Sequence, residues 1–277
     1  LVPIPFKLKK WNCHIYYSPG GTMLTKVPKK CIGITTLQNM LPFEKEESNR
    51  FPGWKSRLRF RMLHFTQGRT FKKSKGVIFL TNYAKNYILK DINLKKNSVI
   101  IPHGINPRFR MSPKKQHSIN EYNSSKLYRI LYVSIIDHYK HQWNVVEAVA
   151  KLRKEGYPVA LNLVGAALFA KNRLEKSLNK FDVNNEWARY NEVVPYLEMH
   201  NAYKDANLGV FASSCENLPI ILLETMASGL PIACSNKGPM PEVLGNAGEY
   251  FNPERPAEIY HSIKKLIDNI HLRSERS

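Results

Sequence analysis

The sequence predicts an α/β protein of two domains, each built around a parallel sheet. Short apolar strands alternate with helices through both halves of the chain, the pattern typical of strands joined by crossover helices. A polar stretch with prolines and lysines over residues 107–126 separates the two series and is typical of an interdomain linker. A length of 277 residues fits two ordinary domains, which we place at residues 1–122 and 123–277.

In the first half, apolar and β-branched runs predict strands at residues 13–17, 31–37, 76–80 and 99–101, with a helix at 82–90. Trp54, Leu58, Met62 and Phe65 repeat at helical spacing within the most basic part of the chain, residues 50–75. Two interpretations stay open. The helix packs this stripe on its own domain and leaves a solvated basic face, or stripe and cations together dock on anionic lipid.

The second half repeats the α/β pattern. Strands are predicted at residues 128–135, 159–164, 207–211, 231–234 and 249–251. Helices are predicted at residues 142–155, 171–179, 196–204 and 257–270. Because the strands alternate with helices, we expect a second parallel sheet covered on its faces.

Charge is distributed unevenly. Residues 1–122 hold 24 Lys and Arg against 5 Asp and Glu, whereas residues 123–277 hold 18 against 17. The first half is therefore expected to meet an anionic partner. Four cysteines without CxxC spacing are typical of buried thiols in a reducing compartment, which indicates cytoplasm. The chain begins without Met and has no run of 18 apolar residues, so we expect no membrane span and an incomplete first domain.

One stretch in the second half combines helix signals with acidic residues. Asn217 is a good N-cap, Pro219 fits a first helical turn, and Gly229 fits the position after the last turn. The predicted helix is about three turns long and apolar on every side, so we expect it to be buried. Glu224 lies inside the apolar run and needs a partner there. Glu216 precedes the helix, whose first amides favour an anion such as phosphate.

These residues resemble the E-x7-E region of retaining glycosyltransferases of the GT-B fold, family 4. Glu216 and Glu224 have the family's spacing, and residues 226–231 read Met-Ala-Ser-Gly-Leu-Pro, as the family's motif does. Further similar segments lie at residues 76–83, 100–106, 241–243 and 247–248. The resemblance covers about residues 30–270. It implies two Rossmann-like domains facing a cleft.

The resemblance also implies roles for single residues. The first acid of the motif contacts the donor sugar and the second binds the nucleotide ribose, which here are Glu216 and Glu224. The amides of Leu218 and Ile220 would hold the diphosphate beside Asn217, while Pro219 has no N–H to give. Lys140 stands where the family keeps a lysine on the diphosphate, so it is the second predicted catalytic residue with Glu216.

Three departures from the family accompany this. Ser134 and Ile135 replace the family's glycine and arginine, and Asp137, His138, His141 or a basic residue of the first half could compensate. Gln38 and Asn39 stand where many members carry a histidine near the acceptor. Both could hydrogen-bond substrate hydroxyls, and Asn39 could equally form a turn. His103 is expected to shape a substrate-binding loop.

Tyr196 precedes a helix where the family often packs the base, and the alternative is an ordinary core tyrosine. His138-x-x-His141 has metal-ligand spacing, but no carboxylate cluster or D-x-D supports a metal, so we predict no cofactor beyond the donor nucleotide. The predicted protein is a cytoplasmic transferase, peripheral on the inner membrane. It would move a hexose or N-acetylhexosamine from a UDP-sugar to a lipid-diphosphate-linked saccharide during O-antigen synthesis, as residues 128–150 resemble such enzymes. The alternatives are a non-catalytic nucleotide-sugar sensor and a basic nucleic-acid-binding protein.

Overall fold

The computed structural model describes residues 4–94 and 97–277 and divides the chain into two compact units. The first unit comprises the chain up to His103 together with the short segment Cys215–Leu218. The second comprises Gly104–Ser214 and Pro219–Ser277. Each unit has its own parallel sheet, so the predicted two-domain α/β class is confirmed.

The first unit contains a four-stranded sheet in the order β1-β2-β3-β4, with every pair parallel. Its elements are α1 (Ile4–Lys10), β1 (Ile15–Ser18), β2 (Ile32–Thr36), α2 (Lys45–Ser48), α3 (Trp54–Lys73), β3 (Gly76–Phe79), α4 (Asn82–Asp91) and β4 (Asn97–Ile100). Leu37, Phe43, Phe71 and Phe79 are among its fully or nearly fully buried side chains. Stacking of Phe71 on Phe43, with ring centroids 6.0 Å apart, joins α3 to the loop after β2.

Helix α3 turns a different face inward from the one its apolar stripe predicts. Trp54, Leu58, Met62 and Phe65 are 70%, 48%, 59% and 66% exposed, so the interpretation that they pack on their own domain is wrong. The buried face of α3 instead carries Phe60, Gln67, Thr70 and Phe71. Gln67 and Thr70 are accepted there because they bond the Gly20 carbonyl and the Met23 amide.

The second unit contains a six-stranded parallel sheet in the order β10-β9-β8-β5-β6-β7. Its strands are β5 (Tyr128–Val133), β6 (Val159–Val164), β7 (Ala188–Asn191), β8 (Leu208–Phe211), β9 (Ile232–Ser235) and β10 (Gly248–Phe251). Its helices are α5 (Gln142–Lys154), α6 (Lys171–Phe181), α7 (Met199–Asp205), α8 (Ile220–Ala227), α9 (Met240–Leu244), α10 (Pro256–Asp268) and α11 (Ile270–Glu275). Strand order reverses between β5 and β8, as in dinucleotide-binding Rossmann folds.

Residues 104–122 belong to the second unit and do not form the expected linker. Phe109 is fully buried against Tyr203, and the Met111 amide donates to the Ala227 carbonyl at 2.9 Å. Buried Arg273 donates to Gln116 Oε1 at 3.2 Å and to the His117 carbonyl. The polar stretch is therefore a strap over the second unit, and the contacts divide the chain after His103, whereas the sequence suggests a division after residue 122.

Several short elements lack a signal in the sequence. Strand β7 is a polar edge strand of four residues, and α9 and α11 are only five and six residues long. Cys31, Cys215 and Cys234 are buried free thiols, as predicted, and Cys13 is half-buried. Across the described ranges, no helix combines the length and apolarity needed to cross a membrane.

Candidate active site

The second unit has one position at which two parallel strands send their following loops in opposite directions. Strands β5 and β8 are neighbours, and their connections run to opposite sides because the strand order reverses between them. In open α/β sheets, ligands bind beyond the carboxyl ends of the strands at this switch point. The loops that follow these two strands, residues 134–141 and 212–214, therefore define the candidate site in this unit.

The two loops are joined by hydrogen bonds. The Ser214 amide donates to the Tyr139 carbonyl at 2.8 Å, and the His141 ring Nε2 lies 2.9 Å from Ser214 Oγ. His141 is buried and adopts a left-handed backbone conformation, with φ at 51°, immediately before α5 begins. Such a conformation is uncommon for a residue with a side chain, so the surrounding contacts hold it in place.

Lys140 is buried in this loop and is not a surface lysine. It is 5% exposed, and its Nζ lies 4.8 Å from the Tyr139 ring centroid and 5.6 Å from the Phe211 centroid. Its carbonyl accepts a hydrogen bond from the Tyr132 hydroxyl at 2.6 Å. Aromatic faces stabilise a cation, and a nearby anion stabilises a buried ammonium further. The position therefore suits a phosphate-binding cation.

Glu224 is buried in α8 with a tyrosine as its partner. Tyr203 of α7 donates its hydroxyl to Glu224 Oε2 at 3.1 Å, and both side chains are nearly inaccessible. Burial raises the pKa of the Glu224 carboxyl, and the hydrogen bond from Tyr203 lowers it. A carboxylate has about four acceptor positions, so it can accept further donors such as sugar hydroxyls. Among the described residues Glu224 has no ion-pair partner, so the partner that its burial requires is a tyrosine hydroxyl and not a cation.

Helix α8 is shorter than predicted and begins later. It spans eight residues from Ile220, with Pro219 as the N-cap residue and no side-chain cap. Asn217 is therefore not the N-cap. Only Leu222, Glu224 and Thr225 are fully buried, and Ile220 is 42% exposed, so the helix is not apolar-packed on every side. Its first amides lack intrahelical acceptors, which leaves them available for an anion.

The end of α8 follows the prediction. Gly229 has φ at 65° and donates its amide to the Met226 carbonyl at 3.0 Å. A Cβ at Gly229 would lie 2.8 Å from the Pro113 Cα, so the strap of residues 104–122 also requires glycine here.

The segment that carries Glu216 is packed in the first unit. Asn217 Nδ2 donates to the Leu37 carbonyl at 2.7 Å, and Thr81 Oγ1 donates to the Asn217 carbonyl at 3.1 Å. Asn217 is thus a structural anchor: its amide joins the end of β2, and its carbonyl joins the N-cap of α4. Glu216 and Leu218 are half-buried, and Pro219 at the start of the second unit is buried.

The remaining predicted site residues lie in loops. Gln38 and Asn39 are exposed after β2, and Asn39 Oδ1 accepts the Leu41 amide at 2.9 Å, so Asn39 forms a turn. His103 is half-buried in the loop after β4. Tyr196 is 54% exposed and lies before α7, with Arg108 5.4 Å above its ring, so it is not a core tyrosine.

Metal ligands are not clustered in the part of the chain that the structure describes, where no group of three or more His, Cys, Asp or Glu could hold an ion. His141 contacts Ser214, and the Asp137 side chain accepts the His138 amide at 2.7 Å. Burial raises the pKa of the Asp137 carboxyl, and this amide lowers it. These residues shape the loop that carries Lys140.

Three contributors to the site had no clear sequence signal. Tyr203 hydrogen-bonds Glu224 from 21 positions away along the chain, and Ser214 contacts His141 from 73 positions away. Glu44 contacts Cys215, the neighbour of Glu216, from 171 positions away. Such pairings depend on how strands and loops come together. Only the position of Ser214 just before Cys215-Glu216 could have suggested a role.

Two parallel-sheet α/β units, the second with a reversal of strand order between β5 and β8, define a protein of the GT-B fold. The sequence profile of the family described as glycosyl transferases group 1 matches residues 114–276, more than half of the chain. The chain therefore belongs to the glycosyl transferases group 1 family.

Individual similar proteins agree with this assignment. An O-antigen chain mannosyltransferase B of Escherichia coli is 37% identical over 84 residues, which cover 30% of this chain and 22% of that protein. A sucrose-phosphate synthase from Thermosynechococcus elongatus superposes with a TM-score of 0.77 at 14% identity, covering 98% of this chain and 68% of that one. HepE from Anabaena in complex with UDP and glucose gives 0.71 at 14% identity, covering 89% and 65%. At such identities the structures establish the shared fold.

Proposed function

We propose that this chain transfers a sugar from a nucleotide diphosphate sugar to an acceptor hydroxyl. The observation that carries the proposal is the position of buried Lys140 at the β5–β8 switch point of a glycosyl transferases group 1 domain. A cation at this point of a Rossmann sheet suits a diphosphate. The exposed start of α8 adds free amides of the same electrostatic sign.

The proposed donor is UDP-linked. Glu224 would accept hydrogen bonds from the ribose hydroxyls, and Tyr196 would lie near the base. Glu216 and Asn217 would lie beside the donor sugar, with Leu218, Pro219 and Ile220 along the diphosphate. HepE, which shares the fold, was crystallised with UDP and glucose, and this supports testing UDP-sugars first.

The proposed reaction retains the anomeric configuration. The bond between the anomeric carbon and the diphosphate oxygen breaks, and the acceptor oxygen bonds to the same face of the sugar. The leaving phosphate oxygen takes the acceptor proton, and the Lys140 ammonium offsets the negative charge that develops on the diphosphate. Lys140 and backbone amides would carry this charge in place of a divalent cation, so transfer should persist in EDTA.

The proposed sugar is a hexose or an N-acetylhexosamine such as GalNAc. The proposed acceptor is a lipid-diphosphate-linked saccharide in surface polysaccharide synthesis, and Gln38, Asn39 and His103 would contact sugar hydroxyls of the substrates. The similarity to an O-antigen chain mannosyltransferase supports this class of acceptor, although the matched stretch is 22% of that protein's length. Mannose therefore belongs in the panel of donors beside glucose and the N-acetylhexosamines.

The proposed location is the cytoplasmic surface of the inner membrane. Helix α3 carries seven Lys and Arg and no Asp or Glu. Trp54, Leu58 and Met62 of its exposed stripe, together with Leu24, line an apolar groove of about 530 Å³. Exposed apolar side chains beside clustered cations suit a surface of anionic lipid.

The site is tested by donor-dependent transfer in Glu216→Gln, Glu224→Gln and Lys140→Met. Each is expected to lower kcat/KM by about tenfold or more, since each removes a charged hydrogen-bonding group. Glu186→Gln in the second unit is the matched control. Near-normal transfer by all three variants would refute the proposed site.

A thermal-shift panel of UDP-, GDP- and ADP-sugars identifies the donor, because a ligand of the folded state raises the unfolding midpoint. The panel also separates a transferase from a nucleotide-sugar sensor. A sensor would be stabilised by the same ligand yet release no UDP when acceptor is added.

The membrane proposal has its own measurement. Binding to anionic vesicles should fall steeply with salt and with Arg57→Glu, Arg59→Glu and Arg61→Glu combined. The combination Lys154→Glu, Lys176→Glu and Lys180→Glu makes the same charge change on the second unit and is expected to bind normally. Salt-insensitive binding, or equal loss in both triples, would contradict docking through α3. Binding of a single-stranded oligonucleotide in preference to vesicles would favour the nucleic-acid alternative.

A further inference from the structure

A buried acid in the first unit contacts the segment that carries Glu216. Glu44 lies at the start of α2 and is 7% exposed. The Tyr83 hydroxyl donates to Glu44 Oε1 at 3.0 Å, and the Cys215 thiol also hydrogen-bonds the Glu44 carboxyl. Cys215 immediately precedes Glu216, so Glu44 contacts the residue next to the one that is predicted to bind the donor sugar.

Two neighbouring acids have different environments. Glu47 is paired with Arg50, whose nitrogens lie 2.8 and 3.2 Å from the Glu47 oxygens. Glu44 has no ion-pair partner in the described residues, and its partners there are hydroxyl and thiol groups. A buried carboxyl without a cation favours its neutral form.

The same segment is fixed at its next residue. Asn217 is bonded through its side chain to Leu37 and through its carbonyl to Thr81. Glu44 and Asn217 therefore hold the backbone on both sides of Glu216. A displacement at Cys215 would be transmitted directly to the Glu216 carboxylate.

We propose that Glu44, in its neutral form and fixed by Tyr83, is a positioning residue that holds Cys215 and thereby places Glu216 against the donor sugar. This inference rests on the proposed function, which assigns Glu216 to the sugar. Ionisation of Glu44 would put a negative charge beside Cys215 and Glu216, and the repulsion would displace the Glu216 carboxylate.

The groups that face Glu44 determine when it ionises. They are Glu47 from α2, Tyr83 and Tyr87 from α4, and Cys215 and Glu216 from the motif segment. Burial raises the pKa of Glu44 to about 7, hydrogen bonds from Tyr83 and Cys215 lower it, and the charges of Glu47 and Glu216 raise it. The neutral form is thus lost as the pH rises through neutrality.

The test compares the pH profiles of transfer for the full chain and Glu44→Gln. The glutamine keeps an acceptor for Tyr83 and stays neutral. At about pH 8 only about one tenth of a group with a pKa near 7 is protonated. We therefore expect wild-type kcat/KM to fall about tenfold between about pH 6 and pH 8, and Glu44→Gln to remain flat over that range.

Two variants test the direction in which the midpoint of the pH profile moves, and a third variant is a control. Tyr83→Phe removes a hydrogen bond to ionised Glu44 and should move the midpoint to higher pH. Glu47→Gln removes a neighbouring charge and should move it to lower pH. Glu46→Gln makes the same charge change at an exposed position and should leave the midpoint in place.

Binding of UDP without a sugar separates the two proposals, because Glu216 is assigned to the sugar alone. UDP affinity is expected to be equal in wild type and Glu44→Gln at every pH. Identical pH profiles of transfer in the two proteins, or inactivity of a folded Glu44→Gln throughout, would overturn the positioning role of Glu44. Absence of any UDP-sugar binding by the wild type would instead refute the proposed function.

Discussion

His141 and Ser214 join the loops that follow β5 and β8, with the ring Nε2 2.9 Å from the serine Oγ and both side chains buried. The hydrogen bond fixes the spacing of the two loops on which the proposed donor site depends. Ser214→Ala should cost about 1–2 kcal/mol of unfolding free energy, because a buried ring nitrogen loses its partner. Denaturant titration measures this loss.

UDP affinity of Ser214→Ala should fall with stability, since the loop carrying Lys140 is no longer fixed. Ser274→Ala, at an exposed serine of α11, is the control and should change neither quantity. Unchanged stability of Ser214→Ala would show that the His141–Ser214 contact does not hold the loops.

Burial raises the pKa of the Glu224 carboxyl, and the hydrogen bond from Tyr203 lowers it. Tyr203→Phe removes the hydrogen bond that lowers the Glu224 pKa, so the carboxyl should ionise at a higher pH. In the proposed function the ionised form of Glu224 accepts the ribose hydroxyls, so UDP binding should weaken as the pH falls through the pKa of Glu224. The variant should lose affinity at a higher pH than the wild type.

Calorimetric UDP titrations across pH measure this shift. Tyr250→Phe removes a hydroxyl that bonds the remote Gly245 carbonyl and serves as the control. A Tyr203→Phe profile that coincides with the wild type would exclude this role for Tyr203.

Gly165 permits a close approach of β6 to the loop after β5. Its φ is 144°, and an added Cβ would lie 2.2 Å from the Ser134 carbonyl oxygen. Gly165→Ala must displace that backbone, so a loss of about 3–5 kcal/mol is expected from chemical denaturation. Gly156→Ala has a positive φ in open space and should lose only about 1–2 kcal/mol. Equal losses would show that the close approach to Ser134 is unimportant.

Glu44 should also make stability depend on pH. Its pKa is about 7 in the folded chain against a value of 4.5 for a free side chain. Because the pKa of Glu44 is raised on folding, this carboxyl stabilises the fold fully at pH values below its unfolded pKa of 4.5. The stabilisation is lost as the pH rises through 7, the pKa in the folded chain. The stability of Glu44→Gln relative to wild type should therefore rise by about 2–3 kcal/mol between about pH 5 and pH 8. A constant difference would contradict this.

The alternation of strands and helices was predictable because apolar runs and helical periodicity are local properties. Strand β7 was not predicted because its four residues are mostly polar and lie at the edge of the sheet. The attachment of the strap of residues 104–122 to the second unit was not predicted because it depends on partners distant in the sequence, such as Arg273.

The candidate site shows the same division. The E-x7-E spacing and the end of α8 at Gly229 are readable from the sequence, and the role of Lys140, which the resemblance implies, stays a prediction. The neighbours of Asn217 predict an N-cap, yet its side-chain amide donates to the Leu37 carbonyl, 180 positions away along the chain. The α3 stripe has helical spacing, which indicates one face of a helix and does not specify whether that face is buried.

The central claim is that the switch point of the second unit binds a nucleoside diphosphate through Lys140. Titration calorimetry of UDP into the wild type and Lys140→Met tests it most directly. Loss of a charged hydrogen-bonding partner is worth about 1.5–3 kcal/mol, so Kd should rise at least about tenfold in the variant. Equal Kd values for the two proteins, or no heat with UDP and a full panel of nucleoside diphosphates, would contradict the claim.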